Sequence, residues 1–247
     1  MEKFRNRYLA EPCMEMIREI KWLILKEFLL EWKQKYAFNG LLLYVLCMVV
    51  VLSLAFNDGV VISDSTMTIN ILTISTHSWN ILYWIIMLFV AINAVAKSFA
   101  GEQDAELMYL YTLSSPISIV LAKMLYNSLV LCVIGLVTVL SYASLAGTDI
   151  QSMGLFLSGT LLGACAFAAN LTLVSAIAAK AENQGTLLAV LAFPLIVPVL
   201  LNLIEITRKA IEGFGFADVM NTWLMTAGIT LVLAVLSVIL FPFVWRD

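Results

Sequence analysis

Three carboxylates, Glu102, Asp104 and Glu106, sit within five positions of one another in FAGEQDAELMYLYTLSSP, residues 99–116. Leu107, Leu110 and Tyr111 follow at helical spacing, so the same segment carries one apolar face. Carboxylates at the start of a helix complement its positive end. Pro116 closes the segment and opens the next apolar run. The chemistry open to such a helix is docking, in which a soluble partner is met by a charged end and held by a greasy face. The plainer reading is a solvated helix that only connects its neighbours.

Other reactive groups are sparse. The lone His77 has no second ligand near it in sequence, and it reads as a solvated or hydrogen-bonded side chain at a membrane edge. Cys13, Cys47, Cys132 and Cys165 form no CxxC, and three of them fall in apolar runs. They read as small hydrophobes, with neither a disulfide framework nor a zinc site indicated. GLFLSGT, with Gly154 and Gly159, lacks the lysine of a phosphate loop, and GFGFAD lacks the third glycine of a dinucleotide fingerprint. No motif binds a cofactor or metal directly, and no polar pair is placed for catalysis. Polarity inside the apolar runs comes mainly from Asn93, Asn127 and Asn170, while Lys97, Lys123 and Lys180 lie at their ends, where long stems snorkel. An ion-coupled transporter needs carboxylates at mid-membrane depth, and none stands there. Energy for any transport must come from elsewhere.

The elements that must carry these groups are membrane spans. Hydrophobic residues make up 62% of the 247, charged residues 13%, and the mean hydropathy is +0.97. A soluble domain is about 45–50% apolar and about 25% charged. Spans of about 20 apolar residues are predicted near 39–56, 79–98, 117–146, 154–180, 184–204 and 221–244. Continuous rather than alternating apolar runs argue against a β-barrel. The fold class expected is therefore an all-α integral membrane protein with six transmembrane helices.

Twelve of the fourteen Lys and Arg residues fall on one side of that arrangement, eight of them before residue 39, and only Arg208 and Lys209 fall on the other. The positive-inside rule then places both termini of this multi-pass protein in the cytoplasm. The basic N-terminus calls for no nucleic acid. No cleavable signal is visible, and the first span reads as retained.

Residues 1–38 are expected to form a cytoplasmic segment with an amphipathic helix over 15–37, in which Ile17, Ile20, Ile24, Phe28 and Trp32 recur at helical spacing. Such a basic, aromatic helix suits the membrane surface or a partner helix. Residues 39–247 form the membrane domain, with the acidic helix over 101–115. Gly159 and Gly163 make a small-residue packing face in the fourth span, within the chain or between two copies. Pro194 and Pro198 kink the fifth span, either as shape or as a hinge. EITRKAIEGFGFADVM, residues 205–220, is expected to form an outer loop with a short helix interrupted at Gly213 and Gly215.

Six spans, an amphipathic N-terminal helix and an acidic helix between spans two and three resemble an ABC-2 type transporter permease. Within that class the chain is most similar to the CcmB family, the membrane subunit (haem exporter protein B) of the ABC complex of cytochrome c maturation. Family members carry a segment like Asp-Gly-Thr-Leu-Glu-Gln-Leu, then Ser-Pro-Leu-Pro and Val-Leu-Ala-Lys. Here Asp104, Ala105, Glu106, Leu107, Met108, Tyr109 and Leu110 take the first, Pro116 matches the second proline, and ISIVLAK ends at Lys123. Ala105, Met108 and Ser114 depart from the pattern without removing the helical face. GTLLAVLAFPLIVPVL keeps Pro194 and Pro198 in the family's register.

The resemblance implies an ATP-driven complex in which this chain is a non-catalytic permease subunit. A CcmA-like ATPase would bind the ATP and dock on the coupling helix at 101–115, through Glu102, Asp104, Glu106, Leu107, Leu110 and Tyr111. A CcmC-like subunit would handle haem and a CcmE-like chaperone would carry it, with haem as the possible cargo and two copies of this chain expected. The alternatives are an ABC-2 permease for a drug, lipid or polysaccharide, and a membrane scaffold that transports nothing.

Overall fold

The computed structural model describes residues 16–30, 35–57, 76–100, 115–146, 150–178 and 184–244. Among the described residues every regular element is a helix: α1 (16–30), α2 (Lys35–Asn57), α3 (Thr76–Ala100), α4 (Pro116–Ala146), α5 (Met153–Ala178), α6 (Gln184–Ile211) and α7 (Phe216–Val244). Five contain stretches long and apolar enough to cross a membrane: Ser78–Val95, Ile117–Ser141, Met153–Ser175, Val190–Ile211 and Phe216–Phe241. The chain is a multi-pass membrane protein. The apolar stretch described within α2, Asn39–Val51, is shorter.

Local chemistry sets the helix ends. Ser115 caps α4: its Oγ accepts from the Ser118 backbone N–H at 3.3 Å, and the two hydroxyls share a hydrogen bond of 2.7 Å. Pro116 occupies the first helical position, where its missing N–H costs nothing. At the far end of α6, Phe214 N–H donates to the Lys209 carbonyl at 3.0 Å across Gly213, whose φ is +86°. That is a left-handed cap, which glycine adopts without steric penalty.

This cap corrects the reading of residues 205–220 as a loop. Glu205 to Ile211 are the last turns of α6, the connection is only residues 212–215, and α7 begins at Phe216. Arg208 bonds Glu205 at 2.9 Å and Glu212 at 2.7 Å, three and four positions away. These charges pair along the helix instead of ending it. The short α4–α5 connection packs beneath the same turn, with Ser152 N–H donating to the Ala210 carbonyl at 3.0 Å and Gln151 against Gly213.

α5 is the central helix. Of its span, 78% is buried within the chain, against 33% for α6 and 22% for α7, and it packs on α3, α4, α6 and α7. Between helices in lipid there is no hydrophobic drive, so association rests on close approach and polar contacts. α5 suits that role because Gly159, Gly163, Ala164, Ala166, Ala168 and Ala169 leave little side chain in the way. α6 answers with Ala192, Ile196, Val199, Leu203, Ile206 and Ala210, all buried at alternating four- and three-residue steps. That seam has the period of left-handed helix packing. Large exposed side chains such as Phe193, Leu201, Leu224 and Leu231 cover the outside, as a lipid-facing surface requires.

Candidate functional site

One end of the interior is stitched by side-chain hydrogen bonds, although Trp223 Nε1 near it is buried without a partner, and the other end is more loosely satisfied. At the Gly213 end, Trp84 of α3 lies across Gly163 of α5, and a Cβ added there would overlap the indole ring and meet Leu203 Cδ1 at 3.1 Å. One turn on, a Cβ at Gly159 would meet Ile206 Cγ2 at 3.1 Å and Thr207 Cγ2 at 3.2 Å. Gly163 therefore faces α3 and α6, and Gly159 faces α6, of the same chain.

Hydrogen bonds stitch this end. Trp84 Nε1–H donates to Thr207 Oγ1 at 2.8 Å. The Thr207 hydroxyl reaches Asn80 Oδ1 at 2.7 Å and the Leu203 carbonyl at 2.8 Å. Asn80 Nδ2 donates to the Ile204 carbonyl at 2.7 Å. Beside them Thr160 donates to the Phe156 carbonyl at 3.1 Å, which leaves Tyr83 to donate to Thr160 Oγ1 at 3.0 Å. Tyr83 meets Trp84 edge-on, and Trp84 meets Phe167 in the same way. Each of these buried polar side chains has a partner, and the bonds tie α3 to α5 and α6.

The Ser115 end differs. Lys123 of α4, with 3% of its side chain exposed, lies 3.4 Å from Glu27 of α1, 16% exposed. This corrects the reading of Lys123 as a snorkelling terminal lysine: α1 brings a carboxylate to it, and the ammonium is held within the protein. The same contact sets the orientation of α1. Of the apolar stripe read from sequence, Ile24 packs on the core while Ile17 and Phe28 stay exposed, as do Trp22, Leu25 and Leu29 outside it.

Deeper in, Asn127 Nδ2 reaches Thr172 Oγ1 only at 3.4 Å. Both polar atoms of Asn170, and the hydroxyls of Ser175 and Ser237, are buried without a hydrogen-bond partner. Each such group costs about 1–3 kcal/mol. α4, which continues directly from the acidic segment, thus leads into the part of the bundle with unspent polar capacity.

Glu102, Asp104, Glu106, Leu107, Leu110 and Tyr111 lie outside the described residues. Pro194 and Pro198 fall within α6, off its buried seam and on its exposed side. His77 falls in the first turn of α3. Among the described residues no group of three or more His, Cys, Asp or Glu is placed to hold a metal ion. Two thiols that spacing kept apart, Cys132 and Cys165, come together across α4 and α5. Sequence reasoning missed the Asn80–Trp84–Thr207 and Tyr83–Thr160 contacts. The available signal was polar residues recurring within apolar runs, but nothing in the order of residues pairs Trp84 with a threonine 123 positions away.

A protein-family model described as CcmB protein matches residues 18–246, from within α1 to beyond α7. No curated protein matches the chain.

Proposed function

This chain belongs to the CcmB family, and from that membership we propose that it is the transmembrane subunit of an ATP-driven complex of cytochrome c biogenesis. In this reading α2 is the first of six spans, both termini are cytoplasmic, and the Ser115 end faces the cytoplasm at the cell inner membrane. A CcmA-like ATPase docks on residues 101–115 and hydrolyses ATP. The chain itself catalyses nothing and holds no cofactor. It transmits movement that ends in haem export or in release of a haem-loaded CcmE-like chaperone handled with a CcmC-like subunit, with two copies of the chain in the complex.

The observation that carries the reading is the contrast between the two ends. A transmitter needs a rigid part and a part with a second arrangement available. The Asn80–Trp84–Thr207 cluster supplies the first. The partnerless Asn170, Ser175 and Ser237, reached through α4, supply the second. Pro194 and Pro198 leave two α6 backbone carbonyls without their helical donors, which lowers the cost of bending that helix.

The test is co-purification in mild detergent with the ATPase subunit, comparing the wild type with the triple variant Glu102→Ala, Asp104→Ala, Glu106→Ala. Retention by the wild type and loss by a folded triple variant is expected. Equal retention moves docking elsewhere, and absence of any binding removes the ABC reading. Deletion of the gene separates the cargo alternatives, because loss of c-type cytochromes is expected here and not for a drug, lipid or polysaccharide exporter.

A further inference from the structure

Ser128 and Cys132 lie one turn apart on α4 and so on one face of it. Cys165 of α5 fits between them. Its Sγ is 3.1 Å from Ser128 Oγ, which places it beside Cys132, the neighbouring thiol on that face of α4. The helices run close here because Gly135 admits Thr160: a Cβ at Gly135 would stand 2.9 Å from Thr160 Cγ2. Both thiols are free, with Cys165 exposed at the side of the bundle and Cys132 half-buried. Cys132 lies within the span Ile117–Ser141 and Cys165 within Met153–Ser175, each well away from the span ends. An exposed side chain at that depth meets acyl chains. In a bilayer such a side chain is open to lipid-soluble reagents.

We propose that Cys132 and Cys165 form a membrane-embedded dithiol site that a lipid-soluble quinone oxidises to a disulfide joining α4 to α5. Two S–H bonds break and one S–S bond forms. Two electrons and two protons pass to the quinone, which leaves as the quinol. The reactive form of a cysteine is its thiolate, and Ser128 is placed to donate a hydrogen bond to the Cys165 sulfur as it forms. Neighbouring thiols on two closely packed helices are placed for such a bond. The product fixes α4 against the central helix. That this would arrest transmission rests on the function proposed above; the chemistry of the site does not.

The test uses the full-length chain in native membrane vesicles. These are treated with decyl-ubiquinone, whose fully substituted ring oxidises thiols without alkylating them, then quenched in acid, denatured and labelled with maleimide-polyethylene glycol. The chain has four cysteines, so the untreated wild type should carry four adducts. Oxidised wild type is expected to show two adducts, returning to four with dithiothreitol. Cys132→Ser and Cys165→Ser are each expected to show three with or without quinone. A treated wild type that keeps four adducts or loses only one overturns the proposal, as does either variant losing a pair. Oxidised glutathione in the aqueous phase is expected to leave all four, and loss of two under it would overturn the lipid-phase route. The assay reads neither ATPase binding nor cytochrome assembly, so its failure is distinct from failure of the proposed function.

Discussion

The Lys123 ammonium lies 3.4 Å from the Glu27 carboxylate, with 3% and 16% of the two side chains exposed. This pair ties the N-terminal helix to the helix that follows the acidic segment. Removing one partner of a buried pair costs about 3–5 kcal/mol because the remaining charge is stranded, whereas removing both is far milder. Lys123→Met should therefore lower the thermal midpoint of the detergent-solubilised chain markedly, and Lys123→Met with Glu27→Leu should recover much of the loss. Equal losses in the single and double variants would show that the pair is not coupled.

Gly163 is a matter of space. Its Cβ position is filled by the Trp84 ring, and overpacking a filled interior costs about 1–3 kcal/mol. Gly163→Ala should destabilise the chain by that amount, while alanine at Gly154, where a Cβ meets nothing within 4 Å, should have little effect. Comparable melting of the two variants would contradict the Trp84 contact.

Thr207 links α6 to two groups of α3. Thr207→Val keeps the shape but removes the acceptor of Trp84 Nε1–H and the partner of Asn80 Oδ1. Stranding buried polar groups costs about 1–3 kcal/mol each. The expected result is a lower melting temperature with a shift in Trp84 fluorescence, and Thr207→Ser should retain both near wild-type values.

Asn170 predicts an effect of the opposite sign. Both of its polar atoms are buried and partnerless, so Asn170→Leu removes a desolvation cost of about 1–3 kcal/mol. Stability should rise. If the polar capacity serves a second arrangement, the maturation of c-type cytochromes should fall in the same variant, as a stability–function trade-off requires. A variant that is both more stable and fully active would assign Asn170 no part in transmission.

Five of the six apolar runs coincide with helices long and apolar enough to cross a membrane, because membrane thickness dictates how long an uninterrupted run must be and every backbone group within it must bond locally. The family likeness was legible for a related reason: order and spacing of short segments survive in the linear chain, and the matched region, residues 18–246, agrees with it. Where reading failed, charge was the cause. Glu205, Arg208 and Lys209 looked like an exit from the membrane, yet pairing at three and four positions let α6 run on to Ile211.

Composition and order alone thus determined that the chain is helical and spans a membrane many times, since both follow from solvation of the backbone and of each side chain taken singly. Only the tertiary structure decided that Gly163 receives Trp84, that Lys123 is held by Glu27, and that Cys132 meets Cys165. Each of these depends on which helix faces which and at what depth. In lipid, that choice is made by small differences in close packing and paired polar groups, which exist only once the helices have met.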